Sequence, residues 1–352
     1  MIRNYRILNK IGAGIHGIVY RVENVLNNQI LALKDIYIHN LSEKEQNQLV
    51  MEICIQKCNT NPYIIKYYDS FIDYEHVYII SEYASNGDLQ TLINNNKKHN
   101  IILDNSFISK TLLQIILGLS YLHKYHIVHR DLKPSNIFFD NNWNVKIGDL
   151  GIAKFFPDNN LIHSCIGSPL YMSPETYSGN GYNELTDIWS LGCILYNMIK
   201  YEPPYIANNI LRLAYIINND TLKPLDDRNE WQELLDALLN KDINKRPSAL
   251  ELSTNRFLIN QSKIALNDIK NIIYSSNRIE ENIIKIYNDI SGNLDTQINK
   301  INNFHLKHTL KLPPLIIKRN SDIIITTQPN TVRRYSEPIQ KSKYHLPPLS
   351  HR

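Results

Sequence analysis

The chain has 352 residues, 38 Lys and Arg against 34 Asp and Glu, a net charge of +4 and 43% hydrophobic content. That length suits one large two-lobed domain or two smaller ones, and the hydrophobic share is enough for a substantial core. No run approaches the ~20 apolar residues of a membrane helix, and Met1-Ile-Arg-Asn-Tyr-Arg6 leads into strand-like sequence without a signal-peptide core. Four scattered cysteines (Cys54, Cys58, Cys165 and Cys193) fit a reducing compartment better than a disulfide framework. Cys54 and Cys58 share a helical face, but no second ligand pair lies near them, so they read as buried structural thiols rather than a zinc site.

In chain order, residues 5–8 and 18–22 read as strands around Ile11-Gly-Ala-Gly-Ile-His-Gly-Ile-Val19, the pattern G-x-G-x-x-G-x-V. Glycines there let the backbone arch over phosphates and offer N–H groups to their oxygens. Dinucleotide-binding folds share the glycines but follow them with a helix. Here strand-like sequence follows, which favours a hairpin lid. A third strand, residues 30–36, sets Lys34 in an apolar run. A buried lysine needs an anionic partner, so Lys34 is either an exposed edge residue or faces a carboxylate. Residues 43–57 read as a helix that offers Glu52 as that partner, with Glu45 as the alternative. Residues 64–68 and 77–84 read as strands, the second running through Ser81-Glu-Tyr-Ala84 into Ser-Asn-Gly-Asp-Leu89 and a helix start. Residues 112–125 carry apolar side chains at helical spacing.

That helix delivers the chain to His129-Arg-Asp-Leu-Lys-Pro-Ser-Asn136. The string holds a candidate proton acceptor (Asp131), a cation (Lys133) and an amide able to ligate a metal (Asn136). A plain polar turn is the alternative, since Pro134 and Ser135 are turn formers. Residues 137–139 and 145–147 read as a hairpin across Asn141-Asn142, followed by Asp149-Leu-Gly151. An Asp between a strand and a Gly is a natural metal ligand, and one hairpin returns it to the neighbourhood of Asn136. Further on come Cys165-Ile-Gly-Ser-Pro-Leu-Tyr-Met-Ser-Pro-Glu175, Thr186-Asp-Ile-Trp-Ser-Leu-Gly192 and Lys245-Arg-Pro247.

Over residues 1 to about 258, these motifs in this order and spacing resemble the eukaryotic protein kinase superfamily. Three strings resemble the NIMA-related (NEK) serine/threonine kinases more narrowly. They are Lys133-Pro-Ser-Asn-Ile-Phe138, Ser85-Asn-Gly-Asp-Leu89, and Cys165-Ile-Gly-Ser-Pro169 with Met172-Ser-Pro-Glu175, where Ser173 replaces the usual Ala. Ser168 and Leu170 depart from the NEK pattern of Thr and Tyr and are also seen in autophagy-initiating kinases, the runner-up subfamily. Gln56 stands where kinases usually carry an apolar residue, a change expected to loosen the docking of its helix.

The resemblance implies an α+β, bilobal protein kinase fold. A small β-rich N-lobe with one long helix would span residues 1–84, and a larger α-helical C-lobe residues 85–258. It implies an ATP-dependent serine/threonine protein kinase in cell-cycle, microtubule or cilium-related signalling, with Mg²⁺ or Mn²⁺ and protein Ser/Thr hydroxyls as acceptors. By the same resemblance Ile11, Gly12, Gly14, Gly17, Val19, Ala32 and Phe138 would enclose ATP, and Lys34 with Glu52 would anchor its phosphates. Backbone groups of Glu82 and Ala84 would bind adenine beside the small Ser81, with Asp88 near the ribose. Asp131 would take the acceptor proton, Lys133 would stabilise the transferring group, and Asn136 and Asp149 would hold the metal. Asp187 would brace the catalytic loop, and Arg246 would pair with Glu175 under the substrate platform. A pseudokinase scaffold has no need of all five of Lys34, Glu52, Asp131, Asn136 and Asp149. A small-molecule phosphotransferase normally lacks the Gly-Ser-Pro…Ser-Pro-Glu175 platform.

Arg130 before the catalytic Asp implies a grip on an activating phosphate, expected on Ser164 with Ser168 second, and Ile152 implies a preference for Thr acceptors. Beyond residue 258, Ile272, Ile279, Ile283, Ile286 and Ile290 fall on one helical seam before Gly292, with Leu294, Ile298 and Ile301 after it. Residues 259–305 are therefore expected to form either a dimerising coiled coil or one amphipathic helix packed on the C-lobe. Residues 306–352 carry nine Lys or Arg against two acids, +7 in all, which leaves −3 on the first 305 residues. This Pro-containing tail, with Leu-Pro-Pro-Leu at 312–315 and 346–349, is expected to be disordered rather than a nucleic-acid arm. Within it Arg333-Arg-Tyr-Ser336-Glu-Pro338 resembles a basophilic phosphosite and a 14-3-3 ligand. A cytoplasmic or nuclear location is expected, with a microtubule-organising centre or cilium as the sites the family implies.

Overall fold

In the computed structural model, residues 1–14, 17–39, 41–150, 169–179, 183–225, 230–274, 317–319 and 322–324 are described. Strand-forming sequence builds β1 (Tyr5–Gly14), β2 (Gly17–Asn24), β3 (Gln29–Tyr37), β4 (Tyr67–Asp73) and β5 (His76–Glu82). They form one antiparallel sheet in the order β1-β2-β3-β5-β4. β1 and β2 run further than residues 5–8 and 18–22, pairing through the glycine pattern to Gly14 opposite Gly17. β1 is an exposed edge strand, so Asn9 and Lys10 sit in it without cost and conceal its length in the sequence. β4 begins at Tyr67, not Ile64. Ile64 makes a parallel bridge to Ile147 instead, which ties the lead-in to the other lobe.

Helix α1 (Glu43–Cys58) starts at a capping box. Glu45 N–H donates to Ser42 Oγ at 3.3 Å, and Glu45 Oε2 accepts from Ser42 N–H at 2.8 Å. Its Leu49, Val50, Ile53 and Cys54 bury against Ile36, Ile38, Val77 and Ile79 of the sheet. At ~1.5–3 kcal/mol for each fully buried aliphatic side chain, this contact fixes the helix to the sheet. Cys54 and Cys58 are free thiols, and burial pushes the Cys54 thiol up to about 12.

The second lobe opens with α2 (Leu89–His99) and α3 (Asn105–Lys124), whose N-caps are Asp88 and Asp104. After the loop come β6 (Ile137–Phe139) and β7 (Val145–Ile147), paired Ile137 to Ile147 as the hairpin reading requires. Then follow α4 (Pro174–Tyr177), α5 (Glu184–Lys200), α6 (Ile210–Asn219), α7 (Glu230–Leu238), α8 (Ala249–Leu252), α9 (Arg256–Ser262) and α10 (Leu266–Tyr274). α3 and α5 are apolar almost all round, and both lie inside the main core with Trp189, Leu119 and Leu235.

α10 is not a free helix. Its Ile269 is 3% exposed, and Ile272 and Ile273 pack beside it on Tyr63, Leu113 and Leu117. Ile272, the first seam residue, thus belongs to an amphipathic helix on the C-lobe. Ile279, Ile283, Ile286, Ile290, Leu294, Ile298 and Ile301 lie outside the described residues. Residues 299–352 form a separate unit in which a short hairpin is described, β8 (Ile317–Arg319) with β9 (Asp322–Ile324). The rest of the expected tail, including both Leu-Pro-Pro-Leu strings and Ser336, lies outside the described residues. Among the described residues no helix is long and apolar enough to cross a membrane.

Candidate active site

Every residue assigned to ATP in the sequence lines one cleft of about 600 Å³ between the sheet and the helical lobe. The β1–β2 hairpin roofs it. Gly17 closes that hairpin at φ +130°, and a Cβ there would stand 2.1 Å from the Asp35 carbonyl oxygen, so only glycine fits. β3 holds Lys34 in register between Val19 and Ile79, and α1 brings Glu52 to it. Lys34 Nζ donates to Glu52 Oε1 at 3.2 Å and to Asp149 Oδ1 at 3.3 Å. Glu45, the alternative partner, is engaged in the capping box. Burial alone would lower the Lys34 pKa, but the Glu52 and Asp149 carboxylates outweigh it and raise it above the ordinary lysine value. Burial likewise works against an ionised Asp149, and Lys34 overrides it, holding the carboxyl below the usual range.

The His129–Asn136 loop rests on Asp187, which α5 places in the core at 1% exposure. Asp187 Oδ2 accepts the His129 N–H at 2.8 Å and Oδ1 accepts the Arg130 N–H at 3.0 Å. His123 Nε2 lies 2.8 Å from Oδ2. Desolvation would raise the Asp187 pKa, yet the bond to His123 and the His129 N–H lower it, so the residue is an anion. These bonds over-determine the turn and hold Arg130 in the left-handed region at φ 67°. His129 is fully buried, with Nε2 3.1 Å from the Gly148 carbonyl oxygen, and this links the loop to the residue before Asp149.

Asp131 Oδ2 accepts from Lys133 Nζ at 2.8 Å and from Asn136 Nδ2 at 3.2 Å. Asn136 Nδ2 also donates to the Asp131 carbonyl at 2.8 Å, which leaves the carboxamide oxygen as the donor group for a cation. The Gly148 N–H donates to the Asn136 carbonyl at 2.9 Å, so Asn136 and Asp149 flank one point on the hairpin. Among the described residues no three His, Cys, Asp or Glu could hold a metal by themselves. Two hard oxygens, from the Asn136 amide and the Asp149 carboxylate, instead fit Mg²⁺, a cation that takes oxygen ligands and needs few from the protein.

Asp88 lies on the cleft wall, but both its carboxylate oxygens cap α2, accepting from Thr91 N–H and Oγ1 at 2.8 Å each. Glu82 ends β5 on the cleft wall while its side chain bonds Lys146 Nζ at 2.9 Å. Under the platform, Arg246 Nη1 and Nη2 donate to Glu175 Oε1 and Oε2 at 2.7 and 2.8 Å. Ile152, Ser164 and Ser168 lie outside the described residues. Sequence reasoning missed His123 and Lys146, which matter only through partners far away in the chain. It singled out Gln56 and the string that holds His129, but not the bonds of Gln56 to Glu52 or of His129 to the Gly148 carbonyl.

A two-lobed fold with its lysine–carboxylate pair and aspartate loop facing one cleft defines the protein kinase class. The protein kinase domain family matches residues 5–258, and the chain belongs to that family. Within it the chain is of the NEK type. It is 36% identical over 255 residues to the probable serine/threonine-protein kinase nek2 of Dictyostelium discoideum, covering 70% of this chain and 61% of that protein. Identity to the human serine/threonine-protein kinase Nek2 is 34% over 262 residues, covering 72% and 59%. It is also 34% to nekl-2 of Caenorhabditis elegans over 262 residues, covering 71% and 72%. The chain thus spans less than two thirds of the length of the first two relatives.

Proposed function

We propose that this chain is an ATP-dependent serine/threonine protein kinase, transferring the γ-phosphoryl group of ATP in line to a protein Ser or Thr hydroxyl. The observation that carries the reading is one cleft in which Lys34 bridges Glu52 and Asp149 while Asn136, bonded to Asp131 Oδ2 at 3.2 Å, lines it from the loop. Phosphoryl transfer needs little covalent help, so a site that positions groups and neutralises charge is sufficient. Mg²⁺ or Mn²⁺ held by Asn136 and Asp149 would supply charge neutralisation at the phosphates. Lys34 anchors the α- and β-phosphates, with Glu52 keeping it in place. Asp131 orients the acceptor hydroxyl and takes its proton as the new P–O bond forms and ADP leaves. Lys133 contributes positive charge at the transferring group.

The serine/threonine assignment is supported by the names of the NEK relatives and by Lys133 two residues after Asp131. The same kinship supports a role in cell-cycle, microtubule or cilium-related signalling, and a cytoplasmic or nuclear place, at the microtubule-organising centre or cilium. Arg130 is assigned to an activating phosphate on Ser164, or on Ser168 second. A homodimer would be built through residues 259–305, with the part of that stretch that holds Ile272 packed on the domain. Purified Asp149→Ala is expected to lose phosphate transfer to casein while wild-type protein transfers it. Retained transfer by the pure variant overturns the reading.

A further inference from the structure

Gln56 stands one helical turn after Glu52 on α1, half-buried, and lines the cleft. Its Nε2 donates at 3.2 Å to Glu52 Oε1, the same oxygen that accepts from Lys34 Nζ at 3.2 Å. Glu52 is 6% exposed, so water is a poor replacement for either donor. α1 is docked on the sheet through Leu49, Val50, Ile53 and Cys54 with this polar residue in place, contrary to the loosening expected of it.

We propose that Gln56 is a positioning residue, fixing the Glu52 carboxylate from the protein side so that Lys34 stays with Glu52 when phosphates arrive. The inference rests on the kinase reading of the cleft. Lys34 is shared here between two carboxylates at nearly equal distance. Asp149 is 49% exposed at its side chain and Glu52 7%, so entering phosphates can take the place of Asp149 more readily. For Lys34 to give up Asp149 and keep Glu52, the Glu52 carboxylate must not turn away. The terminal torsion of a glutamate is broad, and a second donor on Oε1 narrows it. An apolar residue at 56 would leave that oxygen to Lys34 alone.

The test uses the full chain and two readouts. One is the affinity for a fluorescent ATP analogue without protein substrate, and the other is kcat and ATP KM on casein. Gln56→Met keeps length and stem and removes the donor. It is expected to weaken nucleotide affinity and raise ATP KM about tenfold, with kcat within about twofold and the thermal midpoint within about 2 °C of wild type. Gln56→Glu, of the same shape, sets a like charge one turn from Glu52 and is expected to lose more affinity than Gln56→Met. Wild-type affinity and KM in Gln56→Met overturn the proposal, as does a loss that only follows a falling thermal midpoint in both variants. A wild-type chain that binds nucleotide but leaves casein unphosphorylated sinks the kinase reading, and the affinity comparison still decides the role of Gln56.

Discussion

At residue scale the platform pair is a closed network. Arg246 has no exposed side-chain surface, and all three guanidinium nitrogens reach fixed acceptors: Nε to the Asn240 carbonyl at 2.7 Å, Nη1 and Nη2 to Glu175. Its plane also lies 5.1 Å from the Trp189 ring centroid. Removing one partner leaves a buried charge uncompensated, so Arg246→Met is expected to lower stability by about 3–5 kcal/mol in urea unfolding at pH 7. Burial would raise the Glu175 pKa, but Arg246 and Ser173 bring it below the ordinary 4.5. A depressed carboxylate contributes stability above its unfolded pKa and loses it as pH falls through the folded value. The gap between wild type and Arg246→Met is therefore expected to be full at pH 7 and to shrink below about pH 4. A gap that stays constant down to pH 3 would exclude the ion pair as its source.

At the scale of elements, what the sequence disclosed depended on whether the signal was local. α1 was legible because Ser42 and Glu45 form a capping box and no Gly or Pro interrupts the following residues. The β6–β7 hairpin was legible from Ile137-Phe-Phe139 and Val145-Lys-Ile147 on either side of Asn141-Asn142. α10 carried a helical period as well, but period alone does not say which surface buries it. Tyr63, Leu113 and Leu117 supply that surface from two distant parts of the chain. The consequence is that Leu266–Tyr274, past residue 258 where the family match ends, packs as part of the kinase domain. In the full chain Ile269→Ala is expected to cost about 2–5 kcal/mol by urea unfolding. Leu266→Ala, on a side 57% exposed, should stay within about 0.5 kcal/mol. Equal effects at the two positions would remove the docked helix.

On the scale of the whole molecule, the short β6–β7 hairpin joins the lobes and positions Asn136 just before it and Asp149 just after. Ile147 N–H donates to the Tyr63 carbonyl at 2.7 Å and Ile65 N–H to the Ile147 carbonyl at 2.9 Å. On the other strand Asn86 N–H donates to the Phe139 carbonyl at 3.0 Å and Phe139 N–H to the Gly87 carbonyl at 2.9 Å. The cleft-lining glycines, Lys34 and Asn136 were legible because each sits in a short string, but this knot was not, since it joins four segments. Its ionic member is Glu82 with Lys146, at 20% and 13% side-chain exposure, where Glu82 Oε2 also accepts the Lys66 N–H at 3.2 Å. A largely buried charged pair of this kind couples its partners, so a double-mutant cycle of Glu82→Gln and Lys146→Met is expected to give about 1–2 kcal/mol of interaction. Because the pair spans the junction, its loss should act locally. Amide exchange is expected to quicken in β3 and β5 of Lys146→Met while α3 and α5 keep wild-type protection. Uniform quickening across both lobes would mean that Lys146 supports global stability alone and that the junction is held by the backbone bonds.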